Sequence, residues 1–152
     1  MALAGVLVER ADRQRARQLL TGIDASAGPD SLALAAALRA RLALDEGNVP
    51  AARKELQAVR GPGTSNYGLS VGVMVDLAEA RVLSAEGKRD DAMKMAQAVR
   101  DRMHARQLEA FELEAALVLA EIKHDRAAAK QLVARATKDR FLLIARKAGK
   151  VE

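Results

Sequence analysis

The sequence predicts an all-α protein made of consecutive antiparallel helix pairs, about four of them, followed by a C-terminal capping helix. Three observations predict it. Alanine fills 33 of the 152 positions while Tyr67, Phe111 and Phe141 are the only aromatic residues, a composition that favours closely approaching helices over a sandwich or barrel. Four turn-like segments, residues 11–16, 47–52, 87–92 and 123–128, align on their last residues Ala16, Ala52, Ala92 and Ala128 at spacings of 36, 40 and 36 residues. Twelve residues before each anchor stands another alanine, at Ala4, Ala40, Ala80 and Ala116. A small side chain at both places lets two helices approach where a larger one would force them apart.

The first unit, about 1–24, opens on the apolar stretch 1–8, which has no basic n-region and runs straight into Glu9 and Arg10. It reads as helix rather than leader. Asp12 is a good N-cap, and Ala16, Leu20 and Ile23 give the i, i+4, i+7 stripe of an amphipathic helix. Because Ala4 falls in mid-helix, the unit starts abruptly. The expectation is a piece of a longer chain, with a degenerate terminal repeat as the alternative. Residues 24–29 connect to the second unit, about 30–60, where Gly47 suits a left-handed cap, Asn48 an N-cap and Pro50 a first helical turn. Ala52, Leu56 and Val59 continue its stripe. Residues 61–68, loop by composition, absorb the four extra residues of the longer interval. In the third unit, about 69–104, Gly87 repeats the cap, Lys88 stands in the N-cap place, and Ala92, Ala96 and Val99 form the stripe. The fourth, about 106–137, places His124 at the N-cap and Arg135 where the other units carry an apolar residue. Residues 1–137 thus form the array. Residues 138–152 form a capping helix and tail, with Phe141, Ile144, Ala145 and Ala148 on one stripe beside Leu142.

Chemistry-bearing patterns are few. The chain has no cysteine, which excludes a disulfide scaffold, a cysteine nucleophile and thiolate metal sites. His104 and His124 stand twenty residues apart without metal-ligand spacing, and no GxxxxGK[ST], GxGxxG or GxSxG pattern occurs. The pair Asp90 and Asp91 reads as a first-turn complement to a helix dipole. No catalytic residue, metal or cofactor is therefore expected, and the chain reads as a non-enzyme. No apolar run approaches the roughly 18 residues of a membrane span, so membrane insertion is not expected. The expected location is cytoplasmic, with a periplasmic or secreted one, as part of a longer precursor, as the alternative. The net charge of +5 comes from 25 basic and 20 acidic residues that are interspersed rather than blocked. Basic clusters at Arg10, Arg13, Arg15 and Arg17, and at Arg140, Arg146, Lys147 and Lys150, suggest polyanion binding. The scarcity of aromatic stacking partners disfavours nucleic acid.

The paired alanines and helix-turn-helix period resemble the tetratricopeptide repeat family, whose units of about 34 residues carry a small residue at position 8 and an alanine at position 20. The resemblance covers roughly residues 1–137. Early aromatics and inter-repeat prolines typical of the family are missing. What the resemblance implies is a right-handed α-solenoid whose first helices line a concave groove. Mapped by position, the groove holds Leu34, Ala37, Arg41 and Leu44, then Met74, Leu77, Arg81 and Ser84, then Ala110, Leu113, Leu117 and Ala120. It further implies a non-catalytic scaffold that binds a peptide or protein with acidic and apolar side chains, held by Arg41 and Arg81. The competing assignment for these arginines is pairing with Asp45, Asp76 or Glu79. Alternatives for the whole chain are a structural self-association module forming homo-oligomers, and polyanion binding through the arginine clusters. Residues 141–148 also resemble the close of repeat regions in larger bacterial regulators, which implies a place within a bacterial regulatory protein.

Overall fold

The computed structural model describes residues 13–23, 27–60 and 67–151, and every element among them is a helix. The chain runs α1 (Arg13–Thr21), α2 (Pro29–Asp45), α3 (Val49–Gln57), α4 (Leu69–Ala85), α5 (Arg89–Ala105), α6 (Glu109–Lys123), α7 (Arg126–Lys138) and α8 (Leu142–Ala148). Expectations for Ala4, Arg10, Asp12 and residues 61–66 lie outside the described residues.

One turn joins most of these helices. After α2, α4, α5, α6 and α7, a single residue adopts the left-handed conformation: Gly47 at φ 72°, Gly87 at 81°, Gln107 at 57°, His124 at 51° and Arg140 at 64°. The next residue then donates its N–H to a carbonyl five residues back, as Asn48 does to Ala43 at 2.8 Å and Phe141 does to Ala136 at 2.7 Å. This pair of features is the Schellman closure, which satisfies carbonyls left open at the helix end. The following helix starts at once, and Asn48 and Asp125 cap it by accepting from the N–H of Ala51 at 3.1 Å and Ala128 at 2.9 Å.

These equivalent turns set the register of the fourth unit one residue later than sequence spacing suggests. His124 matches Gly47 and Gly87 as the left-handed residue, and Asp125, not His124, matches Asn48 as the N-cap. Ala129, at 3% exposure, therefore takes the place of Ala52 and Ala92, while Ala128 is half-buried. Likewise Leu117 rather than Ala116 stands where Ala40 and Ala80 stand, and Ala116 is half-buried. The same shift puts buried Ala136, rather than exposed Arg135, in the column of Val59 and Val99. Ala16, Ala40, Ala52, Ala80 and Ala92 are all fully buried.

Among the described residues, each helix packs only against helices one or two places along the chain. The core is accordingly a row of clusters. Ala16 and Leu20 meet Ala35, Leu38 and Leu42. Ala40, Ala52 and Leu56 meet Val71, Val75 and Val82. Ala80, Ala92 and Val99 meet Ala115, Val118 and Ile122. At the end, Leu113, Leu117, Leu132 and Ala136 are covered by Ile144, Ala145 and Ala148 of α8. Polar ties reinforce the row. Arg39 of α2 donates to the carbonyls of Leu20, in the last turn of α1, and Ile23, just beyond it. Asp30 accepts from the Gly68 N–H at 3.0 Å, which ties the start of α2 to the start of α4. No described helix is long and apolar enough to cross a membrane.

Candidate interaction groove

Helices α2, α4, α6 and α8 together line one groove. Ala37, Leu38, Arg41 and Leu44 enter it from α2, Met74, Leu77, Ala78 and Arg81 from α4, and Glu114 from α6. This apolar stretch is a notch with room for only about 20 Å³, too little for a small-molecule cavity. It continues past Arg41 into a cleft of about 390 Å³ lined by Glu121, His124, Arg146, Lys147, Lys150 and Val151. Apolar and cationic surfaces therefore adjoin along one line.

Several of the residues that the family resemblance assigned to a groove line this one, and the register accounts for differences in α6. Ala37, Arg41, Leu44, Met74, Leu77 and Arg81 line one notch, but Ala37 and Leu77 are buried in its floor, at 4% and 1% exposure, so Arg41, Leu44, Met74 and Arg81 supply its surface. Leu34 is half-buried and packs against two core clusters instead. Leu113 and Leu117 are fully buried beneath α8 and present no surface to a partner. The one-residue shift puts Phe111, Glu114, Val118 and Glu121 in the places assigned to Ala110, Leu113, Leu117 and Ala120. Glu114 and Glu121 are the two groove carboxylates that sequence spacing misses. The signal was Asp125, a better N-cap than His124.

These carboxylates bind the groove's cations. Arg81 donates from Nε to Glu121 Oε2 at 2.9 Å and lies 3.8 Å from Glu114, and Lys147 of α8 reaches Glu114 at 2.9 Å. Burial pushes the Glu114 carboxyl up, but Lys147, Arg81 and Arg41 outweigh burial and hold it below the ordinary range. Two of the three acids matched to the groove arginines are engaged elsewhere: Asp76 accepts from Arg60 and Arg102, and Glu79 accepts from Arg53. Among the described residues, Arg41, Arg81, Arg146, Lys147 and Lys150 face two carboxylates in the groove, so their sum is net positive.

The other candidates sit apart from this groove. Exposed His104 has its Nδ1 3.0 Å from Glu112. Together with Arg135, it holds that carboxyl low against the pull of burial. Asp90 and Asp91 are exposed in the first turn of α5. Among the described residues, no three histidine, aspartate or glutamate side chains converge as metal ligands. Of the basic clusters, Arg13 and Arg15 are exposed on α1 and Arg17 pairs with Glu46, while Arg146, Lys147 and Lys150 line the cleft. No family model, curated protein or solved structure matches the chain.

Proposed function

We propose that the chain is a tetratricopeptide-like α-solenoid and a non-catalytic scaffold, whose groove takes a segment of a partner protein carrying acidic and apolar side chains. Packing restricted to neighbouring helices is the contact pattern of such arrays. One observation carries the binding reading: the half-buried apolar side chains of Leu44 and Met74 adjoin a cleft where, among the described residues, basic side chains outnumber carboxylates. Apolar side chains of a partner segment would rest on those two while its carboxylates meet the cationic end.

A displayed random-peptide library panned on the protein tests this. Selected peptides should combine Asp or Glu with Leu, Ile or Met. Their affinity should fall roughly tenfold or more with Met74→Glu and with Arg146→Ala, and stay unchanged with Arg13→Ala on α1. Equal losses from Arg146→Ala and Arg13→Ala would point to diffuse attraction of polyanions, and no loss with Met74→Glu would remove the groove. A mass by light scattering that rises with concentration would favour self-association.

A further inference from the structure

A second pocket, of about 460 Å³, opens where the end of α3, the first half of α4 and the end of α5 meet, and it shares no lining residue with the groove. Among the described residues its charged lining is three guanidinium groups and one carboxylate: Arg60, Arg102, Arg106 and Asp76. Asp76 divides itself between two of them. Its Oδ1 accepts from Arg60 Nη2 at 2.8 Å and its Oδ2 accepts from Arg102 Nη2 at 2.8 Å. One carboxylate thus holds two arginines side by side through one terminal nitrogen each, and each fork has further N–H groups that this carboxylate does not use. Arg60 Nε also lies 3.9 Å from Glu79 Oε2, a carboxylate already bound by Arg53. Arg106 follows one turn beyond Arg102, at the C-cap of α5. Cations outnumber anions by two around the pocket.

The rest of the lining among the described residues is apolar. Tyr67 donates its hydroxyl to the Val59 carbonyl, which fixes the ring in the wall. Leu69, among the most exposed of the large apolar side chains, lies beside it. Gly72 sits inside α4, where glycine weakens a helix relative to alanine, and a Cβ there would meet nothing within 4 Å. Packing does not demand this glycine. Its bareness leaves the pocket open.

We propose that this pocket binds a small phosphomonoester with a ring body, of the size and charge of a nucleoside monophosphate. Such a group carries about −1.5 to −2 charge at pH 7 and three acceptor oxygens, which match the surplus charge and the forked donors of the arginines. The apolar wall receives the ring. A pocket of several hundred Å³ is the size class of small-ligand sites. This site stands independently of the groove.

Titration calorimetry of the full chain with adenosine 5′-monophosphate at about 50 mM salt tests it, with adenosine, inorganic phosphate and succinate as comparison probes. The monophosphate should bind, inorganic phosphate should compete weakly, and adenosine and succinate should not bind. Arg106→Ala should weaken the monophosphate roughly tenfold or more and Gly72→Leu should abolish binding by filling the pocket, both with the melting temperature retained. Lys94→Ala, on an exposed part of α5, should change nothing. The proposal is overturned by absence of monophosphate binding, by succinate binding as tightly, by Arg106→Ala or Gly72→Leu leaving affinity intact, or by Lys94→Ala costing as much as Arg106→Ala.

Discussion

Three of the five left-handed turn residues carry a side chain: Gln107, His124 and Arg140. In that conformation a Cβ crowds the following carbonyl oxygen, at a cost of about 1–2 kcal/mol that glycine escapes. Replacing His124 or Gln107 by glycine should therefore raise unfolding stability by about 1 kcal/mol in urea titrations, bringing these turns to the state of Gly47 and Gly87. A loss on His124→Gly would mean that the imidazole contributes more than its backbone strain removes. The buried alanines make the opposite case. Ala52 and Ala92 have no exposed surface, so Ala52→Leu and Ala92→Leu should each destabilise by about 1–3 kcal/mol through overpacking. Ala98, exposed on α5, should accept leucine within about 0.5 kcal/mol. Equal responses at all three would show that the helices do not meet on their alanines.

Between elements, the tightest clasp is Arg53 of α3, which reaches two carboxylates of the next pair. It donates from Nε and Nη2 to Glu86 at 2.6 and 2.9 Å and from Nη1 to buried Glu79. These bonds, with a smaller contribution from Lys88, overcome burial and hold the Glu86 carboxyl at about 2 against an ordinary 4.5. A carboxyl lowered in the folded state contributes stability that is fully present above its unfolded value and is lost as the pH falls through its folded value. Stability should thus decline as the pH falls from 4.5 towards 2, and Glu86→Gln should flatten that decline in acid-unfolding curves. An unchanged slope would assign it to Glu112 and Glu114, which are also held low. Clasps of this kind were not legible in the sequence, because spacing identifies neighbours on one helix and Arg53 lies 26 and 33 residues from its partners. The second and third helix pairs were legible, because Gly47 and Gly87 are the residues a left-handed turn favours. The fourth was misplaced by one residue because His124 carries no such signature, and the groove glutamates were missed with it. The reach of Lys147 from α8 back to Glu114 had no local pattern at all.

For the molecule as a whole, packing limited to near neighbours along the chain predicts graded rather than uniform protection. Native-state hydrogen exchange should be slowest in α4 and α6, each packed on the helices one and two places away on both sides, and fastest in α1, which among the described residues packs on α2 alone. A single exchange rate across all helices would mean that the array opens as one unit. Cross-helix clasps follow the same rule: Arg17 to Glu46, Arg53 to Glu79 and Glu86, Arg81 to Glu121, and Lys147 to Glu114 each join helices near in the chain. In mechanical terms these joints stand in series. A load applied across the described helices passes through every joint in turn, so the force they bear is set by the weakest joint, and among the described residues α1, held by α2, parts before the centre loses its shape.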